Sequence, residues 1–105
     1  MNDVLLNLIK NAVDANAGNI TLSSKYIEET VTISVEDDGS GIFSTELPRI
    51  FDPFYTTKSE GKGTGLGLSI SRDYMIAQGG RIEAESTTGE HHYTRFTLTF
   101  PVPKK

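Results

Sequence analysis

The stretch GKGTGLGL, at residues 61–68, places four glycines at alternating positions directly before a helical pattern. Backbone N–H groups at the start of a helix, cleared of side chains by glycine, form a site for an anion such as a phosphate. The stretch is not a Walker A loop, and Leu68 stands where a dinucleotide-binding fingerprint needs its third glycine. A flexible linker is the competing interpretation, but glycines that lead straight into an apolar helix disfavour it.

Two helices and four strands are predicted around this loop. The predicted helices cover residues 2–16 and 66–78, and the predicted strands cover residues 19–27, 30–36, 81–87 and 93–100. Helical spacing of apolar residues indicates the helices, and alternation of apolar and polar residues indicates the strands. Glu28–Glu29 form the turn of the first hairpin, and Gly79-Gly80 end the second helix. Thr45 is predicted to cap a short helical turn that ends near Phe51 and has Pro48 in its first turn.

The order α-β-β-loop-α-β-β indicates the fold class. Two hairpins cannot build a doubly wound parallel sheet, because each hairpin pairs its strands in opposite directions. We expect an α/β two-layer sandwich with a mixed, largely antiparallel sheet and the helices on one face. At 105 residues the chain is long enough for one core, so residues 1–105 are predicted to form a single domain.

The composition excludes several classes of function. The net charge of −4 argues against a nucleic-acid-binding surface, which needs a basic patch. The absence of cysteine excludes disulfides, thiolate metal sites and a cysteine nucleophile. The apolar runs are too short for a membrane span and the first residues carry no secretory signal pattern, so we expect a cytoplasmic location.

The first predicted helix has an apolar and a polar side. The apolar arc comprises Leu5, Leu8, Ile9, Ala12 and Val13, and the opposite side comprises Asp3, Asn7, Asn11 and Asp14. A spacing of four places the amides of Asn7 and Asn11 on the same side of the helix. An amide oxygen is a hard ligand that Mg²⁺ accepts when nucleotide phosphates and water supply the rest. A solvated polar face remains the alternative for this motif alone.

Two further stretches could bind a ligand. The stretch DDGSGI, at residues 37–42, follows a predicted strand directly. A carboxylate there can accept from an exocyclic amine such as that of adenine, although an ordinary Asp-Gly turn is the alternative. The stretch IFDPFYTTK, at residues 50–58, precedes residues 55–65, which lack periodicity and are predicted to form a mobile loop. A small satellite core with a solvated lysine is the alternative for that stretch.

These stretches together resemble a known family. NLIKNAVDAN at residues 7–16, DDGSGI, IFDPFYTTK and GKGTGLGLSI, in this order, are similar to the N, G1, F and G2 boxes of the sensor histidine kinase catalytic domain. That domain belongs to the superfamily of gyrase, Hsp90, histidine kinase and MutL. The F and G2 boxes most resemble the nitrogen-regulator type. The resemblance implies the Bergerat-type ATP-binding fold, with ATP and Mg²⁺ bound.

The resemblance also assigns roles to individual residues. Asn11 would be the Mg²⁺ ligand and Asn7 its companion amide, and Asp37 would take the adenine amine. Residues 55–63 would form the lid over ATP. The remaining nucleotide-contacting positions that it implies are Asp14, Gly39, Gly41, Ile42, Tyr55, Thr57, Lys58, Lys62, Gly63, Thr64, Gly65, Leu66, Gly67, Leu68 and Thr97, with Phe96 as an alternative to Thr97.

The sequence departs from the family at several positions. Many members have a Lys or Arg at the position of Asp14 and an aromatic at that of Ala15, so a phosphate-directed cation could come from the lid instead. The usual Gly-Thr before the last strand reads Tyr93-Thr94. The chain starts inside the N-box helix, so an N-terminally truncated domain is expected. His91 and His92 are expected to be exposed turn residues, since they lack the context of a phosphate acceptor.

The resemblance implies a function that needs partners. The chain would donate the γ-phosphate of ATP to a histidine on a separate dimerisation domain, and a response regulator would receive it from there. This fragment is expected to be monomeric. Its full-length parent is expected to be a homodimer that could be membrane-attached. Nucleic acid is not an expected partner. No catalytic residue is assigned to the chain itself. The alternatives are an ATP-binding or interaction module without transfer of its own and a superfamily ATPase.

Overall fold

Two α-helices, one short 3₁₀ helix and four strands make up the described part of the protein. The computed structural model describes residues 2–14, 17–52 and 67–101. The helices are α1 (Asn2–Asp14) and α2 (Gly67–Ala77), with the 3₁₀ turn at Leu47–Arg49, and the strands are β1 (Ile20–Ile27), β2 (Thr30–Asp37), β3 (Arg81–Thr87) and β4 (Tyr93–Pro101). This order confirms the predicted one. Neither α1 nor α2, the α-helices of the described ranges, is both long and apolar enough to cross a membrane.

The four strands form a single sheet in the order β1-β2-β4-β3. All three pairings are antiparallel within the described ranges, so the predicted largely antiparallel character is confirmed. The two hairpins join through β2 and β4, in a register that pairs Val35 with Phe96 and Asp37 with Thr94. Residues paired across strands share a face, which allows the two sides of the sheet to be read from this register.

The first hairpin closes through the predicted Glu28–Glu29 turn. Ile27 pairs with Thr30, and the two residues between them have φ values of 50° and 66°. Positive φ at both central residues is the geometry of a type I′ turn, whose twist matches that of antiparallel strands. Asn-Gly is the usual sequence for this turn, since a side chain is strained in the left-handed region.

Both helices cover one face of the sheet. Val4 and Leu8 of α1 and Met75 of α2 are buried against the sheet residues Val35, Ile82, Phe96 and Leu98. On β4 the buried residues alternate with half-buried ones, as expected for a central strand with one covered face. β1 lies at the edge, where Leu22 and Tyr26 remain 51% and 64% exposed although the register places them on the helix-covered face.

Two local predictions need correction. The apolar arc of α1 is turned by about one position, because Val4 is buried whereas Val13 is 61% exposed. The 3₁₀ turn begins after Glu46, not at a Thr45 cap, and the Glu46 side chain makes no capping hydrogen bond. Pro48 lies in the first turn as predicted, where its missing N–H leaves no donor unpaired.

Candidate functional site

Two buried polar side chains lie side by side at the carboxyl end of β2. In the part of the chain that the structure describes, the buried polar residues are Asp37, Ser69, Ser71 and Thr94. Asp37 and Thr94 are direct partners in the β2–β4 ladder, on the face that also carries Val35 and Phe96. Buried polar groups require partners, so a concentration of them on one face marks a place where a polar ligand can bind.

The start of α2 points toward this end of the sheet. β3 follows α2 after Gly79-Gly80, so the helix runs back along the sheet in the opposite direction to β3. The first residue of α2, Gly67, therefore lies toward the end at which β3 finishes, and Ser86 there is the ladder partner of Thr94. Ser69 and Ser71 belong to the first half of the same helix. The N–H groups of the first turn of α2, which lack partners within the helix, are thus directed to the same region as Asp37.

The amides of α1 flank the buried stripe of that helix. Asn7 Nδ2 donates to Ser71 Oγ over 3.4 Å, which joins the polar side of α1 to α2. Asn7 and Asn11 are half-buried and Asp14 is exposed. The prediction that all the polar residues of α1 lie opposite its apolar arc therefore needs correction, because the two asparagines border Val4 and Leu8 at the junction of the helices. This half-buried position of Asn7 and Asn11 favours a ligand-binding role over the alternative of a fully solvated helix face.

Asp37 is the most buried acidic group of the site. Asp37 is only 5% exposed, and its Oδ1 accepts a hydrogen bond from the N–H of Gly39 over 2.8 Å. Burial raises the pKa of the Asp37 carboxyl above its ordinary value of 3.8, and the negative charges of Asp38 and Glu36 raise it as well, whereas the bond from Gly39 lowers it. A ligand that donates a hydrogen bond to this carboxylate would relieve part of that unfavourable burial.

Asp38, by contrast, is committed to the fold. Its Oδ1 accepts from the N–H groups of Gly18 and Asn19 at 2.7 and 2.9 Å, and its Oδ2 accepts from Asn19 Nδ2 at 2.9 Å. The hydrogen bonds from Asn19, with a further one from Gly18, lower the pKa of the Asp38 carboxyl. Of the two adjacent carboxylates, Asp38 therefore anchors the segment after α1, whereas Asp37 accepts from Gly39 through Oδ1.

The glycine loop after β2 is held against the β3–β4 hairpin. Gly41 has a φ of 80°, and a Cβ placed on it would lie 2.1 Å from the carbonyl oxygen of Thr87. The N–H of Ile42 donates to Ser86 Oγ over 2.7 Å, and that hydroxyl donates to the carbonyl of Tyr93 over 2.7 Å. Only glycine permits this approach at position 41, so the loop has a fixed shape beside Asp37.

Thr94, which is not among the predicted site residues, lies beside Asp37, whereas the predicted Thr97 lies away from it. Thr97 pairs with Ser34 and Glu83, on the sheet face opposite to Asp37 and the helices. Thr94 is 5% exposed and pairs with Asp37, and its Oγ1 lies 2.9 Å from Ser86 Oγ. Strand alternation would have identified it, since residues 94, 96 and 98 share the core face. Phe96, the alternative to Thr97, lies in the core at 3% exposure.

Part of the predicted site lies outside the described residues. Gly67 begins α2, and Leu68 packs against the core. The predicted contacts beyond the described ranges are Tyr55, Thr57, Lys58, Lys62, Gly63, Thr64, Gly65 and Leu66. The structure thus places the predicted residues Asp37, Gly39, Gly41, Ile42 and Gly67 toward one end of the sheet, and Asn7 at the contact between α1 and α2. A ligand with a hydrogen-bond donor at one end and an anionic group at the other would suit this arrangement. The donor would meet the carboxylate of Asp37, and the anionic group would meet the N–H groups at the start of α2.

A family profile and individual relatives agree on the proteins that this chain resembles. The sequence profile of the histidine kinase-, DNA gyrase B- and HSP90-like ATPases matches residues 1–104. The chain is 45% identical over 93 residues to the two-component sensor PprA of Pseudomonas aeruginosa, across 80% of this chain and 10% of PprA. It is 41% identical over 104 residues to the sensor histidine kinase ZraS of Escherichia coli O157:H7, across 97% of this chain and 22% of ZraS. The chain spans about a tenth to a fifth of the length of these relatives.

A solved structure shares the fold. Full-length ShkA in complex with AMPPNP matches this structure with a TM-score of 0.84 and 31% sequence identity, over 98% of this chain and 21% of that chain. The antiparallel sheet with helices on one side is therefore an arrangement already seen in a protein crystallised with a nucleotide analogue.

Proposed function

The chain belongs to the family of histidine kinase-, DNA gyrase B- and HSP90-like ATPases, and from that membership we propose that it binds Mg-ATP and donates the γ-phosphate to a histidine on a separate dimerisation domain. The observation that carries the proposal is that the buried Asp37 and Thr94 lie at the end of the sheet toward which α2 begins. Its similarity to the sensor histidine kinase ZraS and to ShkA, seen with AMPPNP, supports the same reading. The nitrogen-regulator subtype stays a prediction.

Adenine recognition rests on Asp37. An ionised carboxylate only accepts hydrogen bonds, so Asp37 Oδ2 suits the 6-amino group of adenine and repels the 6-oxo group of guanine. Oδ1 is already engaged by Gly39, which fixes the orientation of the carboxylate. A buried acceptor left without a donor costs about 1–3 kcal/mol, which is enough to discriminate between the two bases. Gly39, Gly41 and Ile42 would shape the pocket around the base.

Phosphate binding rests on the start of α2 and on the asparagines of α1. The N–H groups around Gly67 and Leu68 would bind phosphate oxygens. Asn11 would hold Mg²⁺ through its amide oxygen, with Asn7 beside it. No group of three or more His, Cys, Asp or Glu side chains that could hold a metal occurs among the described residues. An amide oxygen fits a magnesium ion held largely by nucleotide phosphates and water. The metal would neutralise charge on those phosphates.

Transfer to another domain is favoured over hydrolysis. In the superfamily ATPases and serine kinases, a glutamate precedes the metal-binding asparagine by four residues and activates water or a hydroxyl, as the resemblance implies. Asn7 stands at that position here, and an amide cannot take a proton from water at neutral pH. An imidazole nucleophile on a dimerisation domain needs no strong base from this chain. A homodimeric parent and a response regulator complete the proposed pathway.

Labelled ATP tests the proposal directly. The chain is incubated with γ-labelled ATP and Mg²⁺, alone and mixed with the dimerisation domain of a sensor kinase relative. We expect an acid-labile phosphoprotein only in the mixture, and no more than slow phosphate release by the chain alone. Asn11→Ala should abolish the transfer, and Lys10→Ala, an exposed neighbour on the same helix, should leave it intact.

Two results would contradict the proposal. Brisk phosphate release by the chain alone, abolished by Asn11→Ala, would indicate a superfamily ATPase with a base elsewhere. Nucleotide binding without labelling of any dimerisation domain, the cognate one included, would leave an ATP-binding module as the function.

A further inference from the structure

His92 contacts the loop that follows β2. It lies directly before β4, and its Nδ1 is hydrogen-bonded to the carbonyl oxygen of Gly39, 53 residues away in sequence. The N–H of the same glycine donates to Asp37 Oδ1. Both polar groups of Gly39 are therefore bonded, one to the carboxylate proposed to bind adenine and the other to a side chain of the β3–β4 hairpin.

The chemistry of this contact defines the state of the imidazole ring. A carbonyl oxygen only accepts, so Nδ1 of His92 must carry the proton. The imidazolium and the neutral Nδ1–H tautomer both satisfy the bond. The neutral Nε2–H tautomer does not, because it would turn a nitrogen lone pair toward the carbonyl oxygen. The ring therefore acts as a donor with a defined tautomer, which solution spectroscopy can observe.

The same hairpin holds the other end of the loop by contacts that do not involve His92. Ser86 accepts from Ile42, and Gly41 packs against the carbonyl of Thr87. These contacts lie beyond Gly39, and Asp37 before it is held in the β2–β4 ladder, so His92 attaches the middle of the loop to the hairpin. Without that bond the carbonyl of Gly39 loses its contact with the hairpin, which loosens the backbone whose N–H orients Asp37 Oδ1.

We propose that His92 is a positioning residue for nucleotide binding: by donating from Nδ1 to the Gly39 carbonyl, it holds the loop at residues 37–41 in the shape that accepts adenine. The inference rests on the proposed function. It assigns a role to a histidine that the sequence pattern placed among exposed turn residues and that the structure also leaves exposed. A ligand binds more weakly when its competent conformation is only partly populated, so loss of this bond should lower affinity while the fold persists.

Calorimetric titration with Mg-ADP tests the proposal in the intact chain. His92→Leu removes the donor, and we expect it to weaken ADP binding roughly five- to tenfold. His92→Asn places an amide N–H close to the position of Nδ1 and should bind within about twofold of the wild type. His91→Leu, at the exposed neighbouring position, is the matched control and should bind as the wild type does.

The ring itself supplies a second measurement that needs no variant. The ¹⁵N spectrum of neutral His92 in the wild-type chain should show the proton on Nδ1. A proton on Nε2, unchanged ADP affinity in His92→Leu, or equal loss in the Leu and Asn variants would each overturn the role of His92. If the wild type bound no ADP, the proposed function would fall and this inference with it, whereas normal binding in every His92 variant would overturn the inference alone.

Discussion

At Asp37, the proposed role in binding and the stability of the fold make opposing demands. Burial raises the pKa of this carboxyl in the folded chain. The folded state therefore holds the proton more tightly than the unfolded state does, and the free energy of unfolding falls as pH rises from about 4 through the folded-state pKa. At neutral pH the ionised carboxylate is a cost to the fold that a bound adenine would offset.

Asp37→Asn should separate the two effects. The amide oxygen can still accept from Gly39, but the charge is lost, and the side-chain NH₂ would face the adenine amine, donor against donor. We expect a higher thermal midpoint than the wild type at pH 7, a difference that vanishes near pH 3, and ADP affinity lowered about tenfold or more. Melting curves at both pH values and calorimetry measure these effects; wild-type ADP affinity in the variant would contradict the role of Asp37.

Gly41 is restricted both by its φ and by the nearby backbone of Thr87. A methyl group at position 41 would meet the carbonyl oxygen of Thr87 at 2.1 Å, whereas nothing lies within 4 Å of one at Gly89, where φ is 107°. Gly41→Ala should lower the free energy of unfolding by about 2 kcal/mol or more and disturb the loop beside Asp37. Gly89→Ala shares the unfavourable φ without the clash and should cost about 1–2 kcal/mol. Urea denaturation compares them, and equal losses would mean that the approach to Thr87 has no energetic weight.

Side-chain identity suggested Asp37 and its glycine loop as part of the proposed site, whereas the neighbours of Asp37 in space follow from strand geometry. Asp37 and Gly41 belong to the local motif DDGSGI, whose chemistry can be inferred from adjacent residues. Thr94 is distant from Asp37 in sequence and joins it only through the β2–β4 register, which no local pattern contains. The same holds for His92, whose partner Gly39 is brought near by the packing of a hairpin against a loop. Long-range register is set by the whole sheet, so these contacts required the structure.

At the scale of elements, α1 shows how a small rotation changes which residues are buried. Leu8 is 1% exposed and Leu6 is 63% exposed on the same helix. Leu8→Ala should lower the free energy of unfolding by about 2–4 kcal/mol, because it leaves a cavity among Val4, Met75 and the sheet. Leu6→Ala should change it by less than about 0.5 kcal/mol. Chemical denaturation of both variants decides the point, and similar losses would contradict the orientation of α1.

The hairpin turn between β1 and β2 is an element whose sequence suits its conformation poorly. Glu28 and Glu29 both occupy the left-handed region and carry like charges side by side. The double substitution Glu28→Asn, Glu29→Gly introduces the residues that type I′ turns prefer, and we expect it to stabilise the chain by about 1 kcal/mol. Glu28→Gln, Glu29→Gln removes only the charges and serves as the control. A midpoint no higher than that of this control would show that the turn is not strained.

Element boundaries were predicted closely because their signals are local. Each strand begins and ends within one residue of its predicted bounds, and so does α2. Residues 15 and 16, at the end of the first predicted helix, lie outside the described ranges. The rotation of α1 was mispredicted because Val4 and Val13 are both apolar and border the same arc. Only contact with Met75 and the sheet decides which of them is buried.

At the scale of the whole molecule, the two faces of the sheet differ in kind. One face carries both helices, the core and Asp37 with Thr94. The other carries charged and hydroxyl side chains, among them Arg95, whose guanidinium bonds Glu36 at 2.7 Å and Glu85 at 3.3 Å. These pairs are partly exposed and contribute little to stability. A nucleotide site at the end of the helix-covered face would therefore leave the outer face unaffected by binding.

An NMR titration of the ¹⁵N-labelled chain with Mg²⁺ and AMPPNP tests the location and the chemistry of the proposed site together. We expect the amide signals of Asn11, Gly39 and Thr94 to shift as nucleotide is added, while those of Lys25 and Thr97 on the outer face do not. The guanine analogue, GMPPNP, should produce no such shifts at the same concentration. Absence of any shift with AMPPNP, equal shifts with the guanine analogue, or shifts confined to the outer face would contradict the account.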